Sequence, residues 1–261
     1  MVRRARKRHH QLELPRTRKR DKNGQFRGGA RPGAGRKRTP RADGKLAEGH
    51  GRRAPVRASE PVHVILRVAR DLGSLRTHEM RMAVREASFA VARGREDRFH
   101  LVHYSIQRSH LHLIVEAVDR EALTRGVRAF AISAAKHINA MASMARGVRR
   151  RGRVFTDRYH AVILRSPRQV RACLAYVLNN WRHHREDRAR ARRGARAWRL
   201  DPYATGLAFD GWKERGEGVR YAIPPGYEGP LVWQPRSWLL RVGWRRHGLI
   251  GVDEVPGADS E

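Results

Sequence analysis

Two histidines and a tyrosine–asparagine pair are the residues of this chain whose types and spacing suit chemistry. His110 and His112 flank Leu111 in the run FHLVHYSIQRSHLHLIVE, Phe99 to Glu116. In a strand, residues two apart leave on the same face. Both imidazoles then share one face, while Leu111, Leu113 and Val115 point into a core. Two imidazoles on a rigid strand form half of a divalent-metal site. The segment PRQVRACLAYVLNNW, Pro167 to Trp181, offers the other half. Read as a helix, its apolar stripe is Val170, Leu174, Val177, Leu178 and Trp181, and Tyr176 and Asn180, four apart, share a flank beside it. An Asn oxygen can be the third ligand. Two imidazoles, one neutral oxygen and open positions suit Mg²⁺ or Mn²⁺ in the presence of substrate phosphate. Such a metal polarises the scissile phosphate and stabilises charge in the transition state. Tyr176 is the expected nucleophile. A free phenol ionises near pH 10 and attacks poorly at pH 7, so nearby cations must help it. In-line attack would leave a phosphotyrosine on a DNA 5′ end and a free 3′-OH, conserving the bond energy for rejoining.

Each of these residues has a plainer reading. An isolated HxH is more often structural, and only the joint geometry of pair, tyrosine and carboxamide reverses that preference. Tyr159 and Tyr104 are rival nucleophiles. Tyr159 opens a strand among apolar neighbours and reads as packing, and either Tyr104 or His103 is expected to line the site. His63 could neighbour the metal but reads better as a structural histidine, and His137 as core or edge. Asn179 is the fallback for Asn180, about 100° round the helix. Glu116 is expected to face solvent.

The elements that must position these groups follow from pattern. Val62 to Val68 is β-branched and alternating, hence a strand. Ser74 is a plausible N-cap for a helix to about Arg93, stopped by Gly94. Phe99–Gln107 and His110–Ala117 form a hairpin across Arg108-Ser109. A long helix spans about Arg120 to Met144, with Leu123, Val127, Phe130, Ala134, Ile138 and Met141 on one stripe. Tyr159–Arg165 is a fourth strand, and Ser166-Pro167 opens the tyrosine helix, which runs to about His184. The order β-α-β-β-α-β-α predicts an α+β fold of the ferredoxin-like, split βαβ type. In it a four-stranded antiparallel sheet has two helices on one face, and the last helix lies near the other.

Composition bounds the partners. The chain has 261 residues and a formal net charge of +32, from 57 Lys+Arg against 25 Asp+Glu, which points to a polyanion. Membrane phospholipid is the rival, but no apolar run approaches the ~20 residues of a spanning helix and no signal-peptide pattern opens the chain. Nucleic acid is the expected partner, with no membrane. One cysteine, Cys173, excludes an internal disulfide and a Cys-type zinc finger, and a cytoplasmic location is the default. Three segments are expected. Residues 1–58 form a disordered basic arm, residues 59–185 a catalytic domain, and residues 186–261 an Arg-rich segment with a Trp-containing irregular tail packed on that domain. A short helix is expected near Ser237 to Arg246, with the tail tryptophans as core rather than as base-stacking platforms. Arg149, Arg150 and Arg151, in a basic loop, are candidate phosphate contacts. Arg31 and Arg36 in the Gly/Pro/Arg part of the arm are candidates too, for nonspecific DNA affinity.

His110-Leu-His112 on a strand after a hairpin, followed by a helix, a strand from Tyr159 and Tyr176-Val-Leu-Asn-Asn180 on a helix, resembles the single-tyrosine HUH transposases. These form the IS200-like transposase superfamily, and the likeness is to its REP-associated tyrosine transposase branch. It covers about residues 60–185 and includes Gly152 to His160. It implies that His110, His112 and Asn180 bind the metal and that Tyr176 cleaves single-stranded DNA beside a hairpin. It also implies a bacterial, nucleoid-associated protein. A monomer and a homodimer, with the tyrosine serving in cis or in trans, both fit. The Arg-rich run after Asn180 departs from the Asn-Pro of related sequences. A noncatalytic nucleic-acid-binding protein on an RRM-like sheet is the alternative. RRM strands carry exposed aromatics, whereas these strands carry His and aliphatics.

Overall fold

Val62, Val64 and Leu66 alternate with His63, Ile65 and Arg67, and the strand they form is the inner element on which the others are laid. The computed structural model describes residues 53–94, 97–186, 200–216 and 227–255, all within one unit, Glu48–Glu261. Its strands are β1 (Val62–Arg67), β2 (Phe99–Ile106), β3 (His110–Ala117) and β4 (His160–Ile163). They form one antiparallel sheet in the order β2-β3-β1-β4. Helices α1 (His78–Ala92) and α2 (Arg120–Arg146) follow β1 and β3, and α3 (Pro167–His183) follows β4. This is the expected α+β, ferredoxin-like order.

The helix caps explain the boundaries. Asp119 accepts from the Ala122 N–H at the start of α2, and Gly147, left-handed at φ 65°, ends it. Ser166 accepts from the Gln169 N–H, with Pro167 in the first turn of α3. The start of α1 differs from expectation. Arg70–Leu72 form a 3₁₀ turn, the chain turns at Gly73, and Thr77 rather than Ser74 caps the helix by accepting from the Met80 N–H. Leu75 is fully buried, which anchors the chain between those two hydroxyls.

The sheet buries apolar residues on both faces. Val62, Val64, Leu66, Leu111, Leu113 and Val115 pack under α1 and α2, against Val84, Leu123, Val127, Phe130 and Ile138. Val102 and Ile114 join the second cluster with α3 and the tail. A bulge between Leu101 and His103 shifts the register, so Val102 and His103 both face that second side. α2 approaches β2 closely at Gly126, where a Cβ would lie 2.1 Å from Cγ of the buried Phe99 ring.

Trp212 and Trp244 are fully buried against α3, while Trp238 is 47% exposed. Tyr203 O accepts from the Ile106 N–H and the Trp233 N–H donates to Leu101 O, covering the edge of β2. Asp201, wholly buried, takes a two-pronged pair from Arg76. Glu116 does not face solvent. It is buried, and its carboxylate accepts from the backbone N–H groups of Arg236 and Ser237 at the start of α4 (Trp238–Arg241). The expected Ser237–Arg246 helix breaks at Val242 and resumes as 3₁₀ over Gly243–His247, where the Trp238 ring lies in the space a Cβ at Gly243 would need. Ordered packing begins before residue 59. Val56 is in the core and the Arg53 guanidinium lies 3.7 Å over the Tyr159 ring. Residues 1–52, with Arg31 and Arg36, and the Arg-rich 187–199 lie outside the described residues. Among the described residues, no helix is long and apolar enough to cross a membrane.

Two outcomes test this packing. Gly126→Ala gains helix propensity of about 1 kcal/mol but drives a methyl into Phe99, so a net loss of about 1–2 kcal/mol is expected in denaturant unfolding. His103 is buried against Phe209 and bonded to Thr205 Oγ1 at 3.0 Å, and burial pushes its pKa down to about 4. The unfolded chain binds the extra proton, so stability is full above about pH 6.5 and falls as the pH drops towards 4. His103→Gln should flatten that part of the Tm-against-pH curve.

Candidate functional site

The register of the sheet sets the histidines. His112 pairs with Ile65 of β1 and Ser105 of β2, and His110 with Arg67. His63, two residues from Ile65 on the same face of β1, is the diagonal neighbour of His112. Its Nε2 lies 2.9 Å from His112 Nδ1, and His110 Nε2 lies 2.9 Å from His112 Nε2. Three imidazoles therefore run in a chain across two strands. Burial is the first cause of their lowered pKa values, and neighbouring histidines add to it. His63 and His110 are pushed down to about 4 and His112 to about 2. Among the additional causes are His160 for His63 and Arg67 for His110 and His112. At neutral pH each ring is uncharged, with one N–H and one lone pair.

α3 brings the tyrosine over this chain. Its apolar residues are buried between the sheet and the tail: Val170, Leu174, Val177, Leu178 and Trp181 are all close to fully buried. The flank that remains faces the histidines. The Tyr176 ring stands edge-on to His112 at 5.2 Å between centroids and to His63 at 6.1 Å. One turn past Asn180, His184 stands 6.2 Å from His110. Asn180 thus lies between two residues, at i−4 and i+4, that both face the histidine pair. It is completely buried, and neither carboxamide atom has a hydrogen-bond partner. Asn179 is committed elsewhere, donating through Nδ2 to Gly251 O in the tail. The fallback is satisfied and Asn180 is not.

His110, His112 and Asn180 could hold a divalent cation. Adjacent ligands of an octahedral Mg²⁺ stand about 3 Å apart, close to the spacing of the two facing Nε2 atoms. An unpartnered buried carboxamide costs about 1–3 kcal/mol unless something occupies it. Among the described residues, no three His, Cys, Asp or Glu side chains form a metal-binding group. The candidate set is two imidazoles and a carboxamide.

Other expected residues lie apart. Tyr104 is turned into the helix-side core and His103 towards the tail, so neither lines the site, because the bulge in β2 leaves Ser105 opposite His112. Tyr159 packs on the α2 side and His137 bonds to Ser133 O on its own helix. Arg150 is nearly buried and pairs with Asp71 and Asn139, whereas Arg149 and Arg151 are exposed. His63, which could neighbour the metal but read better as a structural histidine, is in contact with His112. A feature that escaped the sequence reading is a cleft of about 460 Å³ lined by Gln107, Arg108, Ser109, His110, His184, Arg185 and Glu186. The Arg108–Glu186 ion pair, 2.6 Å long, joins two of its lining residues.

No family model matches the sequence. No curated protein matches it either. Among solved structures, the chain is similar to a REP-associated tyrosine transposase bound to a REP hairpin. Identity is 16% and the TM-score 0.42, over 72% of this chain and 95% of that one.

Asn180→Leu removes two unsatisfied polar atoms at similar volume. The metal-free protein should become more stable by about 1–2 kcal/mol in denaturant unfolding, while any rise in Tm on adding Mn²⁺ should vanish. A less stable Asn180→Leu variant would mean that the carboxamide is already bonded.

Proposed function

We propose that this protein cuts and rejoins single-stranded, hairpin-bearing DNA through a 5′-phosphotyrosine, as a metal-dependent single-tyrosine HUH transposase. The observation that carries the reading is the edge of Tyr176 against His112, produced by α3 folding back over the sheet. His110, His112 and Asn180 would hold Mg²⁺ or Mn²⁺. When bound, the cation supplies Lewis-acid polarisation of the scissile phosphate.

The chain's own residues do the rest. Tyr176 Oη attacks phosphorus in line, the bond from phosphorus to the 3′ oxygen breaks, and the phenol proton is lost as the 3′ oxygen gains one. The 5′ end remains on the tyrosine and the free 3′-OH can reverse the step. Burial of α3 under the tail fixes the helix that bears the nucleophile, which shortens the search for attack geometry. The cleft beside His110 offers the strand a way in, with Arg108 and Arg185 on its walls. Exposed Arg149 and Arg151 would hold the backbone, as would Arg31 and Arg36 of the arm. The partner copy of a homodimer is not required by this arrangement, since Tyr176 meets the histidines of its own chain.

The noncatalytic RRM-like alternative needs an open sheet face for stacking. Here every residue of β2, and every residue of β3 except His110, is buried, and α3 and the tail cover that face. The deciding experiment incubates the full chain with a hairpin-bearing single-stranded oligonucleotide and Mg²⁺ or Mn²⁺. A covalent adduct should run on a denaturing gel and disappear in Tyr176→Phe, while DNA binding persists. An adduct retained by Tyr176→Phe would remove Tyr176 from the role. DNA binding that ignores the metal and survives loss of His110 and His112, with no adduct, would favour the noncatalytic reading.

A further inference from the structure

We infer that His63 is a positioning residue: by accepting a hydrogen bond from His112 Nδ1–H, it fixes the tautomer that leaves His112 Nε2 free to ligate. The inference rests on the metal-site reading above. It begins with a constraint on neutral imidazole, which carries one N–H and one lone pair, so the partner of one nitrogen decides the role of the other. A metal-ligating histidine almost always donates its second ring N–H to an acceptor. The nitrogen of His112 that faces His110 is Nε2, and the one that faces away is Nδ1. Nδ1 meets His63 Nε2 at 2.9 Å, with the rings within 24° of parallel and 5.1 Å between centroids.

His63 is badly placed to ligate at the same point. Its Nε2 engages the far side of the His112 ring from His110. It is well placed to orient. It sits on β1, hydrogen-bonded between β3 and β4, opposite Ile114 on one side and Val162 on the other. The Tyr176 ring, 6.1 Å away, packs against its edge and limits its rotation. His110 has a weaker counterpart. Among the described residues its Nδ1 meets Ser109 Oγ, at 3.3 Å in an exposed position. The two histidines of the pair are therefore unequal. His112 is held by a rigid strand neighbour, and His110 by a turn residue beside the open cleft. Moving the His110 proton from Nε2 to Nδ1, towards Ser109, would turn both Nε2 lone pairs onto one point.

The test measures Mn²⁺ binding without DNA, by electron paramagnetic resonance titration of the full chain. His63→Phe keeps a ring and removes the acceptor, and His63→Gln restores an oxygen near the position of Nε2. Affinity should fall about 10- to 100-fold in His63→Phe and return to within a few-fold of wild type in His63→Gln. Nitrogen-15 NMR of the metal-free wild type should find the His112 proton on Nδ1, a reading that stands even if His63→Phe does not fold. Equal Mn²⁺ affinity in wild type and His63→Phe would overturn the role of His63 alone, as would a His112 proton on Nε2. A wild-type chain with no Mn²⁺ affinity would overturn the metal site and this inference together.

Discussion

A sheet buried on both faces is the constraint from which the rest of this molecule follows. Every residue of β2, and every residue of β3 but the first, is buried, so two covers are needed rather than one. α1 and α2 supply the first from within the βαββαβ repeat. The second must come from later in the chain, and α3 alone is too narrow for it. Phe209, Trp212, Trp244, Ile250 and Val252 complete it, leaving α3 buried against the sheet on one side and the tail on the other. Two polar residues of α3, Asn179 and Asn180, are thereby sealed from water. One is satisfied by the tail and the other is left over. The tail is in turn locked to the sheet by the buried Glu116 and by Asp201 on Arg76. A helix carrying a candidate nucleophile is thus held by segments that lie outside the repeat.

The same burial sets the electrostatics. Three imidazoles packed together cannot afford protons, and burial together with mutual repulsion keeps them neutral. Neutral imidazoles and a carboxamide leave the charge of a divalent cation uncancelled. Arg67 and other basic groups nearby oppose the cation but attract phosphate. Such a donor set favours a cation that arrives with, or is retained by, an anionic substrate, which agrees with a chain of net charge +32.

Much of this arrangement was legible in residue order. The HxH spacing gave a shared face, Tyr176 and Asn180 gave a shared helix flank, and Ser166-Pro167 marked a helix start because capping chemistry is local. What was illegible depended on register or on long-range packing. His63 and His112 are 49 residues apart, and only the β1–β3 register makes them diagonal neighbours. The bulge at Leu101/His103 shifts the register of β2, so neither of the two residues of which one was expected at the site, His103 and Tyr104, lies opposite His112. Glu116 looks like a strand-end surface residue until the tail N–H groups that need its carboxylate are in place. Asn179 and Asn180 are the same residue type in adjacent positions. Only the tail, whose Gly251 O accepts from Asn179 Nδ2, tells them apart.

The end of α3 shows how the site's geometry is held. The helix closes at His184, and Arg185 follows in the left-handed region at φ 55°, a place usually taken by glycine. For a non-glycine residue that backbone costs on the order of 1 kcal/mol. The helix itself sets the His184 ring beside His110, and the turn after it brings Glu186 to Arg108 on the turn between β2 and β3. Glu186 and Arg108, joined by that ion pair, both line the cleft beside His110. The strain therefore sits where the geometry of the histidine pair meets its opening. The Arg-rich sequence after Asn180 is compatible with the tyrosine helix because the helix stops by backbone conformation rather than by proline.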